Sequence, residues 1–219
     1  CRNNGRGDFT IENLGTDANQ TYSVAWGDAD GDGDLDLVAG NITGLGGQIN
    51  RFYRNDGIGD FSVENLNADA NQTYSVAWGD IDEDGDLDLA VGNYEQVNLL
   101  YDNDGGGGFT IASLTTDAKR TRSVAWGDAD RDGDLDLAVG NQGNINQLYH
   151  NDGRGSFTVA WESSDVKDTV SMAWGDADGD GDLDLAVGNG RDVGEVNQLY
   201  RNNDNGTFTV ETLGTAISK

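Results

Sequence analysis

Proline is absent from these 219 residues, cysteine, histidine and methionine occur once each, and only 13 residues are basic against 40 acidic ones. A lone Cys rules out an intrachain disulfide framework, and a lone His leaves little imidazole for a zinc site. No apolar run approaches the roughly 20 residues that a transmembrane helix requires. With a formal net charge of −27, the chain lacks the clustered Lys and Arg that bind a phosphate backbone, which sets nucleic acid aside as a partner. Glycine, in contrast, is abundant at 33 residues, and 36% of the chain is hydrophobic, enough for an acidic chain to fold. The first residue is Cys1 rather than Met, so the lack of a visible leader says little.

Self-comparison sets the organisation. The phrase SVAWGDADGDGDLDLVAGN at Ser23 returns, with small changes, at Ser75, Ser123 and Ser171. The markers Trp26, Trp78, Trp126 and Trp174 are 52, 48 and 48 residues apart, the spacing of propeller blades and well above that of leucine-rich or ankyrin units. Each repeat parses into four short strands bounded by Gly, Asn and Asp clusters: in the first, Ser23–Trp26, Leu35–Ala39, Ile49–Tyr53 and Phe61–Leu66. No stretch reads as helix. The second strand is nearly continuous in apolar residues, as for a strand covered on both faces, and the fourth alternates as a half-solvated outer strand does. The expected fold is all-β, a β-propeller of four-stranded antiparallel blades. Four repeats, at 22–66, 74–114, 122–162 and 170–213, follow a partial N-terminal blade at 1–14. In this alignment Cys1 fills the slot of Tyr53, Tyr101, Tyr149 and Tyr200, so the sequence starts within a third strand and reads as a segment of a longer array. An unpaired edge would also invite a second molecule, and a lipid anchor is the other reading of Cys1.

Between the first two strands lies an aspartate loop. It comprises Asp28, Asp30, Asp32, Asp34 and Asp36 in the first repeat, and Asp80, Asp82, Asp84, Asp86 and Asp88 in the second. The third has Asp128, Asp130, Asp132, Asp134 and Asp136, and the fourth Asp176, Asp178, Asp180, Asp182 and Asp184. Five carboxylates in nine residues repel strongly unless a hard cation neutralises them, and oxygen donors at alternate positions suit Ca²⁺. By analogy with other Asp-rich loops, positions 1, 3, 5 and 9 offer side-chain oxygens and position 7 a backbone carbonyl with its side chain toward solvent. A Gly at position 6 permits the bend. An EF-hand would carry Glu at position 12, where this chain has Ala39, Val91, Val139 and Val187. About four ions, one per repeat, would bring the formal charge from −27 to about −19.

These loops, the following AVGN and NQLYRN segments and the Gly-rich turns into Phe-Thr resemble the FG-GAP and VCBS-type repeats of integrin α-subunit propellers and bacterial surface proteins. The resemblance implies a calcium-braced β-propeller used extracellularly for adhesion, glycan recognition or assembly, in families that usually have seven or eight blades. The expected function is that of a non-enzymatic binding module whose partner is a glycan, a protein or another copy of the chain. Its rivals are a structural filament or surface-layer unit and a segment of a carbohydrate-active enzyme; nothing unrepeated looks catalytic. The variable loops Ile42–Gln48 and Gly190–Glu195, with shorter ones near Tyr94 and Gln142, are the expected contact face. Trp161 is either a sugar platform or an outer-strand packing residue. Asn19, Asn41, Asn71 and Asn205 begin Asn-x-Thr triplets that admit N-glycans. Arg6-Gly7-Asp8 follows from the turn grammar of the repeats, and His150 reads as an exposed polar position.

Overall fold

The computed structural model describes the chain apart from residues 1, 4, 5, 7, 11, 12, 15–17, 45, 68, 69, 191–194, 205 and 215–219. The expectations for Cys1, Asn205 and most of the Gly190–Glu195 loop therefore lie outside the described residues. Among those residues every regular element is a strand.

A short hairpin of β1 (Arg2–Asn3) and β2 (Phe9–Thr10) opens the chain. The first repeat forms β3 (Gln20–Gly27), β4 (Asp36–Thr43), β5 (Gly46–Gly47), β6 (Arg51–Asn55) and β7 (Phe61–Asn65). The second has β8 (Thr73–Gly79), β9 (Asp88–Asn93), β10 (Leu99–Asn103) and β11 (Phe109–Ser113). The third has β12 (Thr121–Gly127), β13 (Asp136–Asn144), β14 (Gln147–Asn151) and β15 (Phe157–Glu162), and the fourth β16 (Lys167–Gly175), β17 (Asp184–Asn189), β18 (Asn197–Asn202) and β19 (Phe208–Leu213). Within each repeat the four main strands pair antiparallel in chain order. The opening hairpin aligns Asn3 with Phe9 as the first repeat aligns Asn55 with Phe61, matching a strand-three to strand-four turn.

Burial follows the pattern that the residues dictate. β9 is buried throughout, and β4 and β13 are buried over their first seven residues, whereas β7 and β11 are exposed beyond their leading Phe. The core is not inside any one sheet but between neighbours. Val38 and Phe52 of the first repeat pack with Val76, Leu89 and Tyr101 of the second, and the second and third, and third and fourth, meet the same way. A recurring set of contacts welds each junction. Trp78, Trp126 and Trp174 donate Nε1 to the carbonyls of Ala25, Ala77 and Ala125 of the preceding repeat at 3.3, 3.1 and 3.1 Å. Ser23, Ser75 and Ser123 accept the N–H of Val76, Val124 and Met172. Glycine is needed where the tryptophans cross, because a Cβ at Gly27, Gly79 or Gly127 would lie 2.9, 2.9 or 2.8 Å from the next Trp Cδ1. The result is a propeller-like, all-β stack of antiparallel four-stranded sheets.

One link between sheets is new, and one reading is corrected. The third and fourth sheets are not separate: Gln142 pairs with Asp168 and Asn144 with Lys167, joining them through β13 and β16. Bridges Gln48–Asn71 and Tyr94–Arg120 make the same link at the other junctions. Much of the Ile42–Gln48 segment taken as a loop is likewise hydrogen-bonded, β4 folding back onto β5. In both cases the main-chain groups of the connection find partners on the adjoining chain instead of in water.

Candidate metal centres

The sequence places each aspartate loop between an inner strand and a buried second strand, so both ends are held by a sheet. The bend itself uses left-handed backbone: Gly33, Gly85, Gly133 and Gly181 at position 6 have φ of 92°, 96°, 102° and 94°, a region that favours glycine. Position 4 is left-handed too, including Glu83 at 58° and Arg131 at 62°. The first and last aspartates then knit the turn. Asp28, Asp80 and Asp176 accept the position-6 N–H through Oδ2 at 3.0, 3.1 and 3.2 Å. Asp36, Asp88, Asp136 and Asp184 accept the N–H of Ala29, Ile81, Ala129 and Ala177 with one oxygen. With the other they accept the N–H of Asn55, Asn103, Asn151 and Asn202.

In every repeat carboxylates converge. The ligand atoms of Asp28, Asp30 and Asp32, of Asp80, Asp82 and Asp88, of Asp128, Asp130 and Asp136, and of Asp176, Asp178 and Asp180 each lie within 4.8 Å of one another. Asp36, Asp84 and Asp184 lie outside these closest groups, and Asp132 is grouped instead with Asp130 and His150. In the first three loops Oδ1 of Asp28, Asp30, Asp80, Asp128 and Asp130 is buried without a hydrogen-bond partner among the described residues. A buried carboxylate oxygen without a donor is unfavourable, and hard oxygens gathered so closely suit a divalent cation of the calcium type. Burial pushes Asp36 and Asp136 above the usual carboxylate range, and pushes Asp88 to about 6, because loss of water disfavours the charged form.

Position 7 departs from expectation. Asp34, Asp86 and Asp134 do not point into solvent. Their carboxylates lean over the strand-three to strand-four turn, where a Cβ at Gly57, Gly105 or Gly153 would fall 2.1, 2.2 or 2.5 Å from Oδ2. Only glycine leaves room for them there. In the fourth repeat Asp182 is buried and paired with Arg131 of the preceding loop, which also reaches Asp204 at 3.3 Å.

The comparisons come to the same place. A profile of the FG-GAP-like repeat matches residues 1–39, 80–139 and 128–187. The chain belongs to that family. No curated protein matches it. Among solved structures, a chain in the crystal structure of BBS1N in complex with ARL6DN, soaked with lead, is 14% identical, aligns over 90% of this chain and has a TM-score of 0.60. This FG-GAP-like chain spans 59% of the length of that one, and at such identity the likeness speaks to the fold alone.

Two groups of residues at these centres were missed by sequence reasoning. One is the asparagine closing strand three. Asn103, Asn151 and Asn202 donate Nδ2 to the carbonyls of Ala29, Ile81 and Ala129 in the preceding repeat's loop at 2.7, 2.7 and 2.6 Å, so each loop is tied to its neighbour. Its recurrence as Tyr-x-Asn was the available signal. The other is the residue before it. His150 is half-buried, not an exposed polar position, with Nδ1 3.2 Å from Asp130 and 3.1 Å from Asp136. Burial disfavours its protonation, but Asp130, Asp136 and Asp132 outweigh that and raise its pKa.

Away from the loops, Trp161 packs edge-on against Tyr200 and Phe208, both at 5.1 Å between ring centroids, which is the packing role. Asn41 is fully buried, its amide donating to Ile49 and accepting from Thr21; this excludes a glycan there in the folded chain. No helix among the described residues is long and apolar enough to cross a membrane.

Proposed function

We propose that the chain is part of an extracellular, calcium-stabilised β-propeller that acts as a non-enzymatic binding, adhesion or assembly module. The observation that carries this reading is the convergence of carboxylates in all four repeats, with buried, donorless oxygens among them in the first three. Bound calcium would supply the positive charge that lets these loops sit together. Ligands would come from positions 1, 3, 5 and 9 of each loop, with the position-7 carbonyl completing the set. If their affinity is that of extracellular modules, on the order of 10⁻⁴ to 10⁻³ M, such sites would suit a location where calcium is abundant. Binding to the folded form alone then adds stability by linkage.

The two end faces of the stack support a larger assembly. Trp26 is 53% exposed where later tryptophans pack on a preceding sheet, and Gly175 has nothing within 4 Å where Gly127 meets Trp174. A cleft of 240 Å³ on the fourth sheet is lined by Ser171, Ala173 and Gly188 among others, positions that elsewhere seat the next repeat. Further blades would cover these faces and close a ring, while the strand-two to strand-three side, where the connections differ, would meet a glycan, a protein or another copy. That cleft contains no titratable residue, and the convergent acids belong to the repeated loops, which favours binding over catalysis. Calcium titration of metal-stripped protein should give about one site per loop, and Asp32→Ala should remove one. An unchanged stoichiometry in that variant defeats the ligand assignment, and a glycan-array screen in calcium tests the partner.

A further inference from the structure

The four loops share one grammar but not one neighbour. The residue after the strand-three tyrosine is Arg54, Asp102, His150 and Arg201 in turn, always at the same register step, opposite Ser62, Thr110, Thr158 and Thr209. In the first repeat it seats a guanidinium on the loop, Arg54 Nη1 lying 2.7 Å from Asp30 Oδ2. In the fourth, Arg201 Nη1 lies 2.9 Å from Asp178 and 3.5 Å from Asp184. The third has the imidazole of His150 among Asp130, Asp132 and Asp136. The second repeat reverses the charge. Asp102 stands there within the field of Asp82 and Asp84, and position 4 adds Glu83 where the other loops have Gly31, Arg131 and Gly179.

Loop two thus gathers Asp80, Asp82, Glu83, Asp84, Asp86, Asp88 and Asp102, and among the described residues none of these is in an ion pair. Asp80 Oδ1 is shut off from water without a donor, and Asp88 is almost wholly buried. A cation entering loop one or four meets a resident guanidinium on a carboxylate that it needs. In loop two it meets one more negative charge instead. At separations of a few ångströms each unit of charge changes the attraction for a divalent ion by an amount that remains substantial under salt.

We propose that the residue following the strand-three tyrosine ranks the four loops: Asp102 makes the second repeat the highest-affinity calcium site, and Arg54 and Arg201 are built-in counter-ions that weaken the first and fourth sites. This rests on the calcium reading above. It assigns Asp102 a specificity-setting role and gives the arginines a second task, since they bridge loop acids when calcium is scarce.

The test is calorimetric titration of the whole metal-stripped chain with calcium chloride, with bound calcium counted independently by atomic absorption. The wild type should show one tight site ahead of weaker ones. Asp80→Asn should remove the tight phase and Asp28→Asn should leave it. Asp102→Arg, at an exposed position that accepts the larger side chain, should weaken the tight site about tenfold or more, and Arg54→Asp should create a second tight site. Four equivalent sites in the wild type, or an unchanged tightest site in Asp102→Arg, overturns the ranking while leaving calcium binding intact. Absence of bound calcium in the wild type overturns the underlying reading, and the ranking with it.

Discussion

The asparagine that closes strand three offers a measurable test of how the repeats hold together. Asn103 is 3% exposed and donates Nδ2 both to Leu87 O within its own loop, at 3.0 Å, and to Ala29 O of the preceding loop, at 2.7 Å. Asn55 makes the equivalent bond to Leu35 O, at 3.1 Å, and both side chains accept the N–H of the next turn glycine at 3.3 Å. Alanine at either position removes these shared bonds. Only Asn103→Ala also strips the donor from the carbonyl of Ala29, a residue 1% exposed, and an orphaned buried acceptor costs about 1–3 kcal/mol. Asn103→Ala should therefore be less stable than Asn55→Ala by about 2 kcal/mol, which for a chain of this size is about 4–8 °C in Tm. Urea denaturation in saturating calcium, followed by far-ultraviolet circular dichroism, measures the difference. Equal losses in the two variants would refute the view that the inter-repeat bond contributes beyond the local ones.

Two further predictions follow from the same junctions and loops. Gly127→Ala drives a Cβ to 2.8 Å from Trp174 whereas Gly175→Ala meets open space, so the first should lower stability by about 1–3 kcal/mol and the second should be near neutral; thermal melts that show the reverse order contradict the packing. Metal-stripped protein should melt higher at pH 5 than at pH 7.5. Asp88, raised from 3.8 to about 6, binds its proton more tightly folded than unfolded, and so does His150, raised from 6.5. Their contribution is present at low pH and is lost as pH rises through the folded values. A higher melting temperature at pH 7.5 would count against it.

The order of strands, the period and the acidic loops were legible because they are local: alternation, apolar runs and Gly-Asp turns act within a few residues, and fourfold recurrence separates them from chance. Position 6 needed glycine, and the sequence supplied it four times. What was not legible was anything set by the facing repeat. His150 read as polar and exposed because the acids that surround it are 14 to 20 residues away in the chain, and Asp34 read as solvated because Gly57 on another turn receives it. The strand linking the third and fourth sheets was missed because a two-residue pairing has no periodicity to betray it.

Composition and repeat grammar alone thus determined that this chain is all-β, built of like sheets, and lined at one face by carboxylates in need of opposing charge. Tertiary structure decided which of those carboxylates meet, which already hold an arginine or a histidine, and that the hydrophobic core lies between sheets rather than within them. The physical reason is distance along the chain. Turn geometry and burial pattern are set by neighbours in sequence, whereas the charge and packing at each loop are set by side chains from another strand or another repeat, delivered only once the sheets have stacked.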